Sequence, residues 1–118
     1  MRLQIPCLLL VLLTACNQPQ QQARALTPEQ SAALRPADAR VASLYEQSCK
    51  ACHTVRESNA PLAGDRTLWD PRWQNGEDAL LASVVQGKGG MPAGGQCFSC
   101  SPEDLRVLIR FMAGRGER

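Results

Sequence analysis

Apolar positions along the chain change their spacing from one stretch to the next. Leu3 to Leu13 is apolar apart from Gln4 and Pro6 and shows no polar face. Asn17 to Gln22 is polar and glutamine-rich, with no face to bury. From Ala37 to Cys49 the spacing becomes helical: Val41, Leu44, Tyr45 and Ser48 fall on one side, with Arg40, Glu46 and Gln47 among the polar positions. Leu80, Leu81, Val84 and Val85 predict the inner face of a helix over Glu77 to Gln86, with acidic residues at its start and Gly87 as its stop. Leu105, Leu108, Ile109 and Met112 line one face of a last helix. Ser101 caps it, Pro102 opens it and Gly114 ends it. Thr67 to Trp73 reads as a short helix around Pro71, and Thr27-Pro28-Glu29-Gln30 as the start of a loose one. No segment alternates with period 2. The pattern therefore predicts an all-α fold.

The segments between helices read as loops. Ser58 to Asp65 is rich in Pro, Gly, Asn and Asp, and Lys88 to Gly95 holds four glycines and a proline. The apolar N-terminal run follows Arg2, is too short to span a bilayer, and reads as an export signal. Its end, Leu13-Thr14-Ala15-Cys16, resembles a bacterial lipobox, which implies cleavage before Cys16 and lipidation of its thiol. The chain thus divides into a signal peptide over 1–15, a lipid-anchored flexible tether over 16–36, and a folded domain over 37–118. All five aromatic residues lie beyond Pro36. So thin a core is expected to need a metal, disulfide or cofactor.

Charge adds little. The formal net charge is +2, and discarding Arg2 leaves 12 basic against 11 acidic side chains. No basic cluster or aromatic–basic stripe suggests nucleic acid.

The chemistry enters at Cys49-Lys50-Ala51-Cys52-His53. Two thiols three residues apart, followed by an imidazole, form the attachment pattern of a c-type haem. On a helical turn the three groups share one face. The thiols then reach two vinyl groups, and His53, the single histidine, reaches the iron. Met91 stands in Gly89-Gly90-Met91-Pro92-Ala93-Gly94, where glycines allow close approach to a flat cofactor, and reads as the second axial ligand. Met112 reads as core. The Pro61 carbonyl is the expected acceptor for the second ring N–H of His53. Trp69, Arg72, Trp73 and Lys88 are candidates for contact with the haem edge or its propionates, set against core packing for the tryptophans and plain solvation for the two cations.

Cys97-Phe98-Ser99-Cys100 admits three readings. It is a disulfide in an exported protein, a redox-active pair at a helix N-terminus, or half of a four-cysteine zinc site with Cys49 and Cys52. The 44 residues between Cys52 and Cys97 are too many for a compact zinc ribbon.

Taken in order, the Cys49–His53 motif, Ala60-Pro61-Leu62-Ala63-Gly64-Asp65, Trp69 with Pro71-Arg72, Gly87 to Gly95 around Met91, the Cys97/Cys100 pair and the Ser-Pro-Glu-Asp-Leu helix resemble the cytochrome c-five group of class I c-type cytochromes. The resemblance covers residues 37 to 113. It implies a small all-helical fold wrapped around one covalent haem c, with first and last helices crossing beside it. It also implies His53 and Met91 as axial ligands, a Cys97–Cys100 disulfide, and single-electron exchange with redox partner proteins. Met91 on the iron leaves no vacancy for catalysis. The haem edge is expected to be ringed by Ala51, Ala60, Ala93 and the loop glycines. The lipobox places this carrier on the periplasmic side of a bacterial membrane, held there by its N-terminal lipid. The competing readings are a haem enzyme or gas sensor with a displaceable sixth ligand, and a zinc-stabilised binding module.

Overall fold

The computed structural model describes residue 23 and residues 25–117. The signal stretch 1–15, Cys16 and the first part of the tether lie outside the described residues. Among the described residues six α-helices follow one another: α1 (Pro28–Ala32), α2 (Ala39–Leu44), α3 (Lys50–His53), α4 (Arg66–Trp73), α5 (Glu77–Gln86) and α6 (Pro102–Met112). Among the described residues there is no strand. One isolated bridge pairs Lys88 with Met91.

Caps fix most of the starts. Thr27 and Gln30 cap each other's backbone at α1, and Ser101 and Asp104 do the same at α6. Asp38 accepts from the Val41 N–H at α2, and Asp65 from the Thr67 N–H at α4. Between α2 and α3 the helix does not stop. It widens into a π turn over Tyr45–Cys49, where the Lys50 N–H reaches back to the Tyr45 carbonyl. One extra residue per turn re-aims everything after it, and such turns concentrate at functional sites. Here it re-aims the Cys49–His53 stretch.

The core forms where α2 and its π turn meet α6. Val41, Leu44 and Tyr45 pack with Leu105, Leu108 and Met112, joined by Ala63 and Trp69. Tyr45 is fully buried and meets the edge of Phe111 at 4.9 Å between ring centroids. Burial, then the neighbouring Cys49 and Glu46, push its phenol up to about 12. Across the α5–α6 contact, Glu77 accepts from Arg110 at 2.7 Å and from Arg106 at 3.2 Å. Arg110, against a smaller cost of burial, leads Arg106 in holding the Glu77 carboxyl below its usual range.

Two expectations need correction. The flexible tether up to residue 36 is shorter than its composition implies, because Leu26 to Pro36 is strapped onto the domain. The Leu26 N–H donates to Asp65 at 3.1 Å, Ser31 is fully buried, and Pro36 is buried. The strap is held by backbone groups, the Ser31 hydroxyl and two half-buried leucines, Leu26 and Leu34, that lie over Gly64 eight residues apart, so it leaves no apolar period to read. Second, α5 has no fully buried residue. Leu80, Leu81 and Val84 are half-buried, and Val85 points outward, 49% exposed. Leu80 and Val84 lie one turn apart and face a cavity; Val85 lies round the helix from them.

Candidate cofactor site

The cavity has a volume of about 590 Å³ and takes its walls from segments spread between Ser48 and Ile109. Cys49, Cys52 and His53 line it from the π turn and α3, Pro61 and Trp69 from the next loop and α4, Leu80 and Val84 from α5, Met91 from the glycine loop, and Ile109 from α6. The sequence-derived site residues are thus brought around one space, across 42 residues of chain between Cys49 and Met91.

His53 closes α3 and is 5% exposed. Its Nδ1 lies 2.8 Å from the Pro61 carbonyl oxygen. A carbonyl only accepts, so Nδ1 carries the proton and Nε2 keeps its lone pair for a metal. Burial lowers the imidazole pKa most, the Pro61 bond raises it, and the charge of Arg72 lowers it again; the net lowering favours the neutral form that a ligand must have. The Trp69 ring lies nearly parallel to it, centroids 5.8 Å apart. Cys49 is buried while Cys52 is exposed. Burial, with a smaller contribution from Cys52, pushes the Cys49 thiol up to about 11.

The segment bearing Pro61 is held from three sides. The Ala63 N–H donates to the His53 carbonyl at 2.7 Å. The Trp69 indole N–H donates to the Leu62 carbonyl at 2.9 Å. The Ser31 hydroxyl lies 2.8 Å from the Ala63 carbonyl oxygen and 3.1 Å from that of His53, sharing its proton between them. Ser31 is the site residue that sequence reasoning misses. Its one visible signal is its place just after a capping box.

The wall bearing Met91 is built differently. Lys88 and Met91 exchange backbone hydrogen bonds of 3.0 Å each, closing a two-residue turn through Gly89 and Gly90. Gly87, at φ +81°, starts the loop. A Cβ there would stand 2.8 Å from the Met91 carbonyl oxygen and 2.9 Å from the Ala93 nitrogen. The Met91 methyl rests over Gly95, where a Cβ would come within 3.2 Å of it. The 3₁₀ turn Ala93–Gln96 follows. Cys97 and Cys100 are then joined in a disulfide, with Cα atoms 5.3 Å apart. Their sulfurs are consumed by each other, which removes the four-cysteine zinc arrangement.

Of the uncommitted candidates, Trp69 is both core and cavity wall. Arg72 and Lys88 line the cavity. Trp73 packs beside the core, with the Arg115 guanidinium 5.1 Å above its ring. Of the expected rim alanines, Ala60 lines the cavity, while Ala51 and Ala93 are exposed.

The donor set fits a covalent haem. Two thiols, one at a buried and one at an exposed position, share a wall with a neutral imidazole whose free nitrogen is Nε2. A thioether lines the same space, and apolar side chains from α5 and α6 border it. The volume lies within the range of cofactor pockets.

Residues 36–112 match a family model described as Cytochrome C oxidase, cbb3-type, subunit III. Cytochrome c5 of Ectopseudomonas mendocina is 38% identical over 73 residues, covering 60% of this chain and 84% of that protein. Cytochrome c5 of Azotobacter vinelandii is 40% identical over 68 residues, or 56% and 82% of the two chains. Cytochrome c-555 of Chlorobaculum tepidum is 30% identical over 77 residues, or 62% and 71%. A chain in the crystal structure of an electron transfer complex of nitrite reductase with cytochrome c superposes with a TM-score of 0.58. It is 39% identical, over 66% of this chain and 98% of that one.

Proposed function

From the premise that the chain belongs to the c-type cytochromes, in the cytochrome c5 family, and is a non-enzymatic electron carrier with one covalent haem c, we propose that His53 and Met91 hold the iron between them. The haem supplies a one-electron couple when bound; the chain's residues decide how it is held and who reaches it. The observation that carries this reading is the shared cavity: the neutral His53 ring, oriented by Pro61, and the Met91 thioether line one space.

Cys49 and Cys52 provide the two thioether links. Pro61, by accepting from Nδ1, fixes the His53 ring and makes Nε2 the better donor. Met91 adds a soft ligand that favours the reduced state. With His53 and Met91 both holding the iron, no position would be left on it for substrate chemistry. Trp69, Leu80, Val84 and Ile109 keep the centre largely dry. Burial of this kind tunes the potential together with the ligands.

We place the carrier outside the cytoplasm, on the periplasmic side of a bacterial membrane, lipid-anchored at Cys16 after removal of 1–15. The support is the Leu13–Cys16 sequence and the oxidised Cys97–Cys100 pair, which suits an oxidising compartment. Its partners are redox proteins. The related cytochrome c solved with nitrite reductase shows one kind of complex that such a protein makes.

The test is the visible spectrum of the matured protein. It should show low-spin c-type haem with the weak far-red band of sulfur ligation. Met91→Ala should abolish that band, and rapid carbon monoxide binding should appear only in that variant. Survival of the band in Met91→Ala would sink the ligand assignment. For the anchor, Cys16→Ser should release the protein from membranes; retention would refute lipidation at that residue.

A further inference from the structure

Every residue of the Pro61–Asp65 segment is tied to another part of the chain. Pro61 accepts from the His53 ring at 2.8 Å, and Leu62 from the Trp69 indole at 2.9 Å. The Ala63 N–H donates to the His53 carbonyl and the Gly64 N–H to the Met112 carbonyl, each at 2.7 Å. Two further ties come from the strap. The Ser31 hydroxyl donates to the Ala63 carbonyl at 2.8 Å and reaches the His53 carbonyl at 3.1 Å. The Leu26 N–H donates to Asp65 Oδ2, while Oδ1 of the same carboxylate caps α4 through the Thr67 N–H. The strap therefore clasps both the segment that orients His53 and the residue that starts the helix bearing Trp69.

Ser31 and Asp65 are both buried. His53 closes α3, so its carbonyl has no partner within that helix. Among the described residues no other donor reaches the Ala63 carbonyl. A buried carbonyl without a donor is costly, and here one hydroxyl serves two of them. Ser31 does not line the cavity, so it acts through these bonds and not by contact with the haem. The clasp is also an addition to the shared domain. Leu26 to Arg35 precede residue 36, where the match to the family begins.

We infer that Ser31 is a positioning residue for electron transfer: from the strap, it holds the Pro61 carbonyl against His53 Nδ1 and so lowers the reduction potential. The inference rests on the reading of His53 as an iron ligand. Three links carry it. Ser31 fixes where the Ala63 peptide sits relative to the His53 backbone. That placement fixes the Pro61 carbonyl two residues earlier, and with it the strength of the Nδ1–H bond. A stronger bond makes Nε2 a better donor, and a better donor favours ferric iron. Hydrogen bonding behind an axial ligand is one of the levers that set a haem potential.

The test is a redox titration of the holoprotein, read beside hydrogen exchange at the Leu26 amide and the His53 ring. Ser31→Ala should shift the reduction equilibrium about threefold toward the reduced form, less than the roughly tenfold effects of groups that touch a ligand directly. At about 59 mV per tenfold for one electron, the potential rises by about 30 mV. Exchange at the His53 ring N–H should quicken with it, because the same bond governs both. Leu34→Ala is the control, since it removes packing over Gly64 and leaves the hydroxyl in place. It should lower the melting temperature without moving the potential. A fall of potential in Ser31→Ala overturns the inference, because water entering behind His53 would then outweigh the lost bond. A rise as large in Leu34→Ala overturns it too, since the strap would act as a cover and not through one hydroxyl. So does loss of Leu26 amide protection in Ser31→Ala, which would mean that the strap lifts off as a unit. High-spin c-type haem in the parent would mark failure of the ligand reading. Low-spin haem with an unmoved potential in Ser31→Ala marks failure of Ser31 alone.

Discussion

The two walls of the haem cavity solve the same problem with different materials. The His53 wall is made of buried backbone bonds. Its carbonyl is gripped by Ala63 and Ser31, the next loop by Trp69, and the ring by Pro61. Gly64 there sits at φ +79°, and a Cβ would lie 2.3 Å from Leu34 Cδ1 of the strap, so a side chain would be strained and would displace that leucine. The Met91 wall has one turn of two reciprocal bonds, a run of glycines and a disulfide at its far end. Neutral imidazole needs its orientation imposed, since only one nitrogen binds metal. A flexible thioether tolerates a softer mount. The first wall should therefore fail as a unit of the fold, and the second as a ligand.

The sharpest way to break this contrast is Gly87→Ala. The new Cβ meets backbone on two sides at φ +81°, so the loop carrying Met91 must move. The expected cost is about 2 kcal/mol or more, with loss of the far-red band. A variant that keeps the band and its melting temperature would show that the loop is not the rigid element described. Next comes joint replacement of Cys97 and Cys100 by alanine. Closing so short a loop is worth about 2 kcal/mol at most. Guanidinium unfolding should report that loss with the band retained; loss of the band would show that the disulfide is part of the mount of Met91. On the other wall, Ser31→Ala should cost about 1 kcal/mol, with the band intact and the His53 ring N–H exchanging faster with solvent. Ser31→Thr should recover part of it. Unaltered exchange would reduce the strap to a packing element.

The smallest effect belongs to α5, which borders the cavity without bearing either of the proposed iron ligands. Glu77 is held below its ordinary value of 4.5 by Arg110 first, then Arg106. A lowered carboxylate pKa contributes stability that is fully present above the unfolded value and lost as pH falls through the folded one. Glu77→Gln should therefore cost less than about 1 kcal/mol near neutral pH. It should also flatten the stability profile below about pH 4.5. An unchanged acid profile would exclude Glu77 as a contributor.

Much of this was legible in residues. Helices α5 and α6 announce themselves by caps and stops, and their observed bounds, Glu77–Gln86 and Pro102–Met112, follow those signals. The Cys49–His53 spacing names its cofactor because few other uses need two thiols and an imidazole in that order. What stayed hidden depends on contacts far apart in the chain. The strap is invisible because Ser31 binds residues 22 and 32 positions away. The π turn is invisible because 3.6-residue periodicity runs through Tyr45 without a mark. Val85 misleads because its apolar character matches its neighbours while the cavity they face lies off to one side.

The strap also changes what a lipid at Cys16 would do. Only residues 17–25 remain between that cysteine and Leu26, whose backbone is already tied to Asp65. Nine residues extend to about 30 Å at most. A domain lipidated there would sample a thin shell above the bilayer rather than the volume of the compartment. Toward a partner in the same membrane, its effective concentration would reach the millimolar range. Docking then would have no need of high affinity, and weak docking would let each encounter end as soon as the electron has crossed.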